Sequence, residues 1–388
     1  MKRIFTILLA ITFFMPGCRG DKNDPVPGAS SPEEYMPAIE GRAIGIVANQ
    51  TSMVGETHLV EYLLGKGVNI KVIFTPEHGY RDQASAGAHI SDGTDAATGI
   101  PIRSLYGVRL KPSPEDIQGL EAVIFDIQDV GARFYTYIST LHYVMEACAE
   151  SNVKCIVFDR PNPNGFYVDG NIADTAHRSF VAMHPVPVVY GMTIGEYARM
   201  INGEGWLSGG LKCDLTVIKC KNYTHQKLYE LPVKPSPNLP NMTSIYLYPS
   251  LCFFEGTTIS MGRGTPFPFQ VYGSPLLPDE GFSFTPESLP EAPRPVLLGA
   301  KCYGVDLRNA LQEKLVPAEG INLGWLTDSW AKYPEKDKFF NKYFDVLAAG
   351  PTLREQVMKG MSSDEIRATW KEGLEKFQKT RVKYLLYE

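Results

Sequence analysis

The 388-residue chain has no CxxC pair, no Cys/His cluster at zinc-ligand spacing, and no outstanding run of Lys and Arg interleaved with aromatic residues. The first two absences leave a zinc ribbon or a dithiol redox centre without its ligands. The third, with a net charge of −5, leaves no broad positive field, so nucleic acid is not an expected partner. GxxxxGK(S/T), HExxH and GxSxG are missing as well. Phosphate cradling, zinc-peptidase and serine-esterase chemistry therefore lack their usual frames. No GxGxxG follows the first strand-like run, which argues against a bound dinucleotide. His58, His89, His142, His177 and His225 stand in no motif and read as surface or packing residues. Neither a cofactor nor a metal is expected.

What is present begins with Met1-Lys2-Arg3 and the apolar run from Ile4 to Met15, the charged head and short greasy segment of a secretory signal. That run is too short to span a bilayer. It closes on Met15-Pro16-Gly17-Cys18, which resembles the lipobox of bacterial lipoproteins, although Met15 and Pro16 replace its usual aliphatic and small residues. The expectation is an exported periplasmic or outer-membrane lipoprotein, held to the membrane by a lipid on Cys18. Residues 1–18 are then the signal peptide, and residues 19–38, rich in Asp, Pro, Gly and Ser, a disordered tether. Cys213 and Cys220 flank a strand-like stretch that holds them roughly 23 Å apart at about 3.3 Å per residue, too far to bond. The cysteines beyond Cys18 read as small buried hydrophobes.

With 44% hydrophobic and 21% charged residues, the chain can bury an ordinary core, and its length suggests two domains. Short β-branched runs at 43–48, 70–75, 122–127, 155–159 and 215–218 alternate with helix-like stretches at 59–64, 114–120, 132–151 and 194–202. Their nearly continuous apolar character predicts strands covered on both faces. The expected fold class is α/β, a Rossmann-like doubly wound parallel sheet with a second, smaller α/β domain. Four prolines within residues 231–240 forbid regular structure and place the boundary there, giving a catalytic domain over 39–240 and a domain closing the cleft over 241–388. The second domain carries a possible strand at 301–307 and two charged helical stretches near its end.

Three apolar runs end in acidic or amide residues: Glu77 and His78 after the second, Asp126, Gln128 and Asp129 after the third, Asp159, Arg160 and Asn162 after the fourth. In an open parallel sheet those ends share one edge, where ligands bind, so the carboxylates are expected to converge on one crevice. Glycosidic cleavage needs such a set: one carboxyl protonates the leaving oxygen and another acts as base or nucleophile. Glu77, between Pro76 and His78-Gly79, leads as the acid; Asp126, Asp129 and Asp159 compete for the second role, and substrate assistance stays open. Arg133 and Tyr137 are read on one face of a helix opening at Val130, pointing into the crevice. Glu255 precedes Gly262-Arg263-Gly264, where glycine lets the backbone approach a ligand and Arg263 can grip a carboxylate bidentately.

These stretches also carry a resemblance. Asn49-Gln50-Thr51, Pro76-Glu77-His78-Gly79, the thirteen-residue run from Phe125 to Tyr137, Asp159-Arg160-Pro161-Asn162-Pro163, Pro235-Ser236-Pro237-Asn238 and Gly262-Arg263-Gly264-Thr265 resemble the bacterial exo-β-N-acetylmuramidase family, from about residue 40 to the end. The resemblance implies a cleft between two domains that releases single N-acetylmuramic acid units from non-reducing ends of peptidoglycan fragments, with Glu77 at the position of the family's proposed catalytic glutamate. It also places His78, Gln128, Arg133, Tyr137, Arg160, Asn162, Asn238, Glu255 and Arg263 at the substrate, whose muramic acid carries a lactyl carboxylate for Arg263 to hold. Muropeptides or disaccharides are the expected partners. The rival readings are a lipoprotein that binds cell-wall sugars without cleaving them, which has no need of Glu77, and a metal-dependent hydrolase that a chelator would silence.

Overall fold

Residue alternation explains the central sheet. In the computed structural model, which describes residues 23–80, 91–317 and 320–388, Ile44, Ile46, Ala48, Ile124, Ile156 and Phe158 point to one face and Val47, Val123, Phe125, Cys155 and Val157 to the other. Both faces are apolar, so both are covered. The signal segment and Cys18 lie outside the described residues.

The strands are β1 (Ala43–Ala48), the hairpin β2 (Met53–Val54) and β3 (Thr57–His58), β4 (Asn69–Thr75), β5 (Gly93–Thr94), β6 (Pro101–Ser104), β7 (Ala122–Asp126), β8 (Lys154–Phe158), β9 (Leu215–Ile218), β10 (Val271–Ser274), β11 (Ser283–Phe284) and β12 (Cys302–Asp306). A seven-stranded sheet runs β5-β6-β4-β1-β7-β8-β9. All its pairs are parallel except β5 with β6. Counting its parallel strands in chain order gives 3-2-1-4-5-6, the Rossmann order, with the switch point between β1 and β7.

The helices are α1 (Pro32–Ile39), α2 (Leu59–Gly65), α3 (Pro114–Ile117), α4 (Tyr137–Glu150), α5 (Ile194–Gly203), α6 (Met242–Leu251), α7 (Gly324–Lys332), α8 (Lys336–Phe339), α9 (Tyr343–Leu347), α10 (Thr352–Met358) and α11 (Ser363–Arg381). Helices α1 and α2 cover one face of the sheet through Tyr35, Ile39, Leu59 and Leu63. Helices α4 and α5 cover the other through Leu141, Met145, Tyr197 and Ile201, and that core continues into the smaller C-terminal domain at Leu247, Phe253, Phe344 and Trp370. There β10, β12 and β11 form a three-stranded antiparallel sheet. Capping boxes at Thr193/Glu196 and Ser362/Glu365 fix the starts of α5 and α11.

Two expectations are corrected. The stretch expected as a tether is integral to the fold from about residue 26: Val26 pairs with Lys221, Gly28 donates its N–H to the Asp159 carbonyl, and Tyr35 and Ile39 are fully buried. Pro and Ser there mark a helix start, Pro32 at the first turn, rather than disorder. The helix expected over 132–151 begins only at Tyr137, because Gly131 takes φ +76° and Arg133 donates its N–H to the Val188 carbonyl, holding 130–136 in a loop. Arg133 and Tyr137 therefore share no helical face. The six cysteines among the described residues are free and buried, Cys213 and Cys220 included.

Candidate active site

The switch-point crevice is filled by the chain's own side chains. Asn49 accepts from the Thr51 hydroxyl at 2.6 Å and donates to the Tyr137 hydroxyl at 2.9 Å, while Thr51 accepts the Gln128 N–H at 3.0 Å. Asp126, fully buried, receives Arg160 through two bonds of 2.7 and 2.8 Å. Gln128 donates to the carbonyls of Asp129 and Pro161, and Asn162 to that of Met192. The space a dinucleotide takes in other Rossmann folds is thus a cross-linked polar layer.

Asp129 and Asp159 are equally internal. Asp129 accepts from the Gly131 N–H and the Tyr190 hydroxyl, and burial raises its pKa to about 6. Asp159 accepts from Gly195 N–H at 2.7 Å and from the hydroxyls of Thr193 and Tyr387 at 2.7 and 2.6 Å. Burial lifts its pKa to about 7. The same Tyr387 hydroxyl accepts the Cys220 N–H at 2.8 Å, and Glu196 accepts the Leu386 N–H at 2.7 Å, so these groups hold the C-terminal tail. Arg133, fully buried, donates to the carbonyls of Asn171, Val186 and Leu347, and burial lowers its pKa to about 9. The expected convergence of strand-end carboxylates on one crevice is therefore corrected: short strand-end loops aim Asp126, Asp129 and Asp159 inward, where hydrogen bonds offset part of the cost of burying them.

A different cleft, of about 750 Å³, opens where the loops after β4 and β6 meet the C-terminal domain. Of the residues singled out in the sequence, Glu77, His78, Asn238, Glu255 and Arg263 line it; Asp126, Asp129, Asp159, Gln128, Arg133, Tyr137, Arg160 and Asn162 do not. Pro76, at the end of β4, accepts the Gly79 N–H at 3.1 Å, and His78 and Gly79 take φ +71° and +84°. This tight reversal turns the half-buried Glu77 into the cleft. Its Oε2 accepts the Thr136 hydroxyl at 3.0 Å. Thr136 is the N-cap of α4 yet makes no capping bond, its hydroxyl being directed to Glu77 instead.

Across the cleft, Gly262 and Gly264 take φ +86° and +82°, and a Cβ on Gly264 would stand 2.5 Å from Pro295 Cγ and 2.6 Å from the Glu287 carbonyl. The glycines serve the chain's own close packing. Arg263, held between them, meets Glu255 Oε1 at 2.7 Å and stacks 5.2 Å over Phe269. Its positive charge is thereby committed. The Tyr106 phenol has its pKa raised, first by burial and then by Glu77 and Glu255. Burial, Glu255 and Glu77 act likewise on Tyr343, and both carboxyls line the one cleft. A carboxyl beside neutral phenols, with a second carboxyl held by a guanidinium, can deliver a proton to a leaving oxygen and steady positive charge on a sugar ring.

Residues 44–243 match the model of the N-terminal domain, and residues 246–387 that of the C-terminal domain, of the exo-β-N-acetylmuramidase NamZ. The chain belongs to the NamZ family. It is 36% identical over 379 residues to the peptidoglycan β-N-acetylmuramidase NamZ of Bacillus subtilis (strain 168), covering 91% of this chain and 89% of that one. Two crystal structures of DUF1343 family proteins from Bacteroides fragilis NCTC 9343 share the fold. One has TM-score 0.87 at 46% identity, over 94% of this chain and 99% of that one; the other has 0.81 at 27%, over 95% and 100%.

Sequence reasoning missed several NamZ-family cleft residues of this chain: Tyr106, Thr136, Tyr248, Glu291, Arg294 and Tyr343. Thr136 lies inside the thirteen-residue run and was within reach. Tyr248 lies inside α6, the others sit in loops or at the start of a short helix, and no spacing rule points to them.

Proposed function

We propose that this chain is an exo-acting β-N-acetylmuramidase, a glycoside hydrolase that removes terminal N-acetylmuramic acid from the non-reducing end of peptidoglycan fragments in cell-wall turnover. The observation that carries the reading is Glu77: among the carboxylates expected to act, it is turned into a cleft by a strained loop and fixed by a helix N-cap hydroxyl diverted to it. In this role the Glu77 carboxyl protonates the glycosidic oxygen as the bond to the anomeric carbon breaks, and water completes the hydrolysis. Glu255, neutralised by Arg263, shapes the floor opposite.

Export and anchoring through Cys18 belong to the same proposal, supported by the charged head, apolar run and lipobox-like residues of 1–18. Incubation of the anchor-deleted protein with the disaccharide N-acetylmuramic acid–N-acetylglucosamine, followed by mass spectrometry, tests the activity. Wild type releases free N-acetylmuramic acid, and Glu77→Gln, nearly isosteric, is slower by about 10²–10⁴-fold. Binding without release by wild type would leave a sugar-binding protein instead. Metabolic labelling with a clickable fatty acid tests the anchor; label persisting in Cys18→Ser would refute it.

A further inference from the structure

Among the described residues, the cleft is lined by two guanidinium groups and no lysine, against three carboxylates, Glu77, Glu255 and Glu291. Counting these carboxylates and guanidiniums alone, the formal charge of the described lining is −1, three negative against two positive. An anionic sugar enters such a space only if a cation there is free to meet it. Arg263 is not free, since Glu255 holds it at 2.7 Å. Arg294 is exposed on the rim of the cleft, and among the described residues no ion pair or hydrogen bond engages its guanidinium.

The loop that carries Arg294 is built to hold still. Leu289 and Ala292 exchange backbone bonds of 3.2 and 3.0 Å, Ser288 Oγ donates to the Pro293 carbonyl at 2.8 Å, and Glu287 N–H donates to the Gly264 carbonyl at 2.7 Å. Asn238 Nδ2 reaches the Glu291 carbonyl at 3.3 Å, tying the loop to the far wall. Pro293 and Pro295 flank Arg294 and restrict its backbone, and Pro295 sits in the space that Gly264 leaves open. A fixed backbone carrying an unpaired planar fork of donors is what bidentate capture of a carboxylate requires.

We infer that Arg294 is the residue that reads the carboxylate of the sugar's lactyl ether, and so selects N-acetylmuramic acid over N-acetylglucosamine. The inference rests on the proposed muramidase activity and departs from the expectation that Arg263 does this. A carboxylate on a stem peptide offers the same chemistry, and substrates in which the lactyl group is amidated by the peptide separate the two sources.

The test is steady-state kinetics on three β-linked substrates: the free lactyl acid, its simple amide, and a peptide-bearing fragment. The enzymes are wild type, Arg294→Ala and Arg294→Lys. For the free acid, Arg294→Ala is expected to raise KM by about 10–100-fold with kcat within about 3-fold, and Arg294→Lys to recover part of the loss. For the simple amide, wild type and Arg294→Ala should coincide within about 2-fold. Added salt should raise KM for the free acid in wild type and not in the alanine variant. Equal effects on acid and amide, no effect on either, or a larger effect on the peptide-bearing fragment would each overturn the inference. Failure of wild type to cleave any of the three would instead sink the muramidase reading, and unchanged melting of the exposed-site variants separates both results from misfolding.

Discussion

Asp126→Asn distinguishes a carboxylate that does chemistry from one that holds the fold. Asp126 is fully buried and Arg160 only 4% exposed, with two charge-assisted bonds joining them. Removing one charge strands the other in the interior, which costs about 3–5 kcal/mol. At about 2.1 cal/mol/K of unfolding entropy per residue, a chain of this length shifts by roughly 1.2 °C per kcal/mol, so Tm should fall by about 4–6 °C. Turnover per folded molecule at low temperature should stay within about 3-fold, since Asp126 does not line the cleft. Differential scanning fluorimetry and active-enzyme-normalised kcat read the two quantities separately. An Asp126→Leu, Arg160→Met double variant, which leaves no stranded charge, should regain part of the lost stability. If Asp126→Asn keeps its Tm and loses about 10²-fold or more in kcat, Asp126 is catalytic and the assignment by burial is wrong.

Other substitutions test the rest of the frame. Asp159, raised by burial from near 3.8 to about 7, contributes stability that is complete below pH 3.8 and lost as pH rises through 7. The buried His142, lowered by burial to about 4, has the opposite slope, so the measure is a difference: the Tm gap between wild type and Asp159→Asn should be larger at pH 5 than at pH 8, and a flat gap would refute the linkage. Gly264→Ala, forced into φ +82° against Pro295 and the Glu287 carbonyl, should displace the Arg263 and Arg294 loops together, raising KM and costing about 1–3 kcal/mol in denaturant titration. Arg133→Met leaves three carbonyls without their donor and should lower stability by about 2–4 kcal/mol while loosening Phe134 to Thr136 at the cleft; unchanged hydrogen exchange in those residues would contradict this.

The parallel sheet was legible because five apolar runs punctuated by helix-like stretches have few other solutions, and each predicted strand lies within a residue of its observed bounds. The site was legible only where the backbone itself was unusual. Pro76-Glu77-His78-Gly79 and Gly262-Arg263-Gly264 announce turns, and both turns face the cleft. The direction of a side chain at a strand end is set by partners far away in sequence, which is why Asp126, Asp129 and Asp159 read as a reactive set and stand inside the protein. Arg133 shows the same limit: helical spacing to Tyr137 is real, but pairing with residue 188 delays the helix past it. Arg294 left no trace at all, since a proline-rich stretch reads as a loop whatever the loop carries.

Both ends of the described chain are fastened to one place. Val26 and Gly28 bind Lys221 and the Asp159 carbonyl, and Tyr387 binds the Asp159 carboxylate and the Cys220 N–H, all at the ends of β8 and β9. The polypeptide is in effect drawn into a ring with its clasp at that sheet edge. A pull on the N-terminal segment is therefore delivered to the clasp and the outer strands, while the loops around Glu77, on the opposite wing of the sheet beyond β4, bear none of it directly. Joining the ends of the described chain by a short linker and opening the ring at an exposed loop elsewhere should leave the same fold, with its mechanical weak point moved.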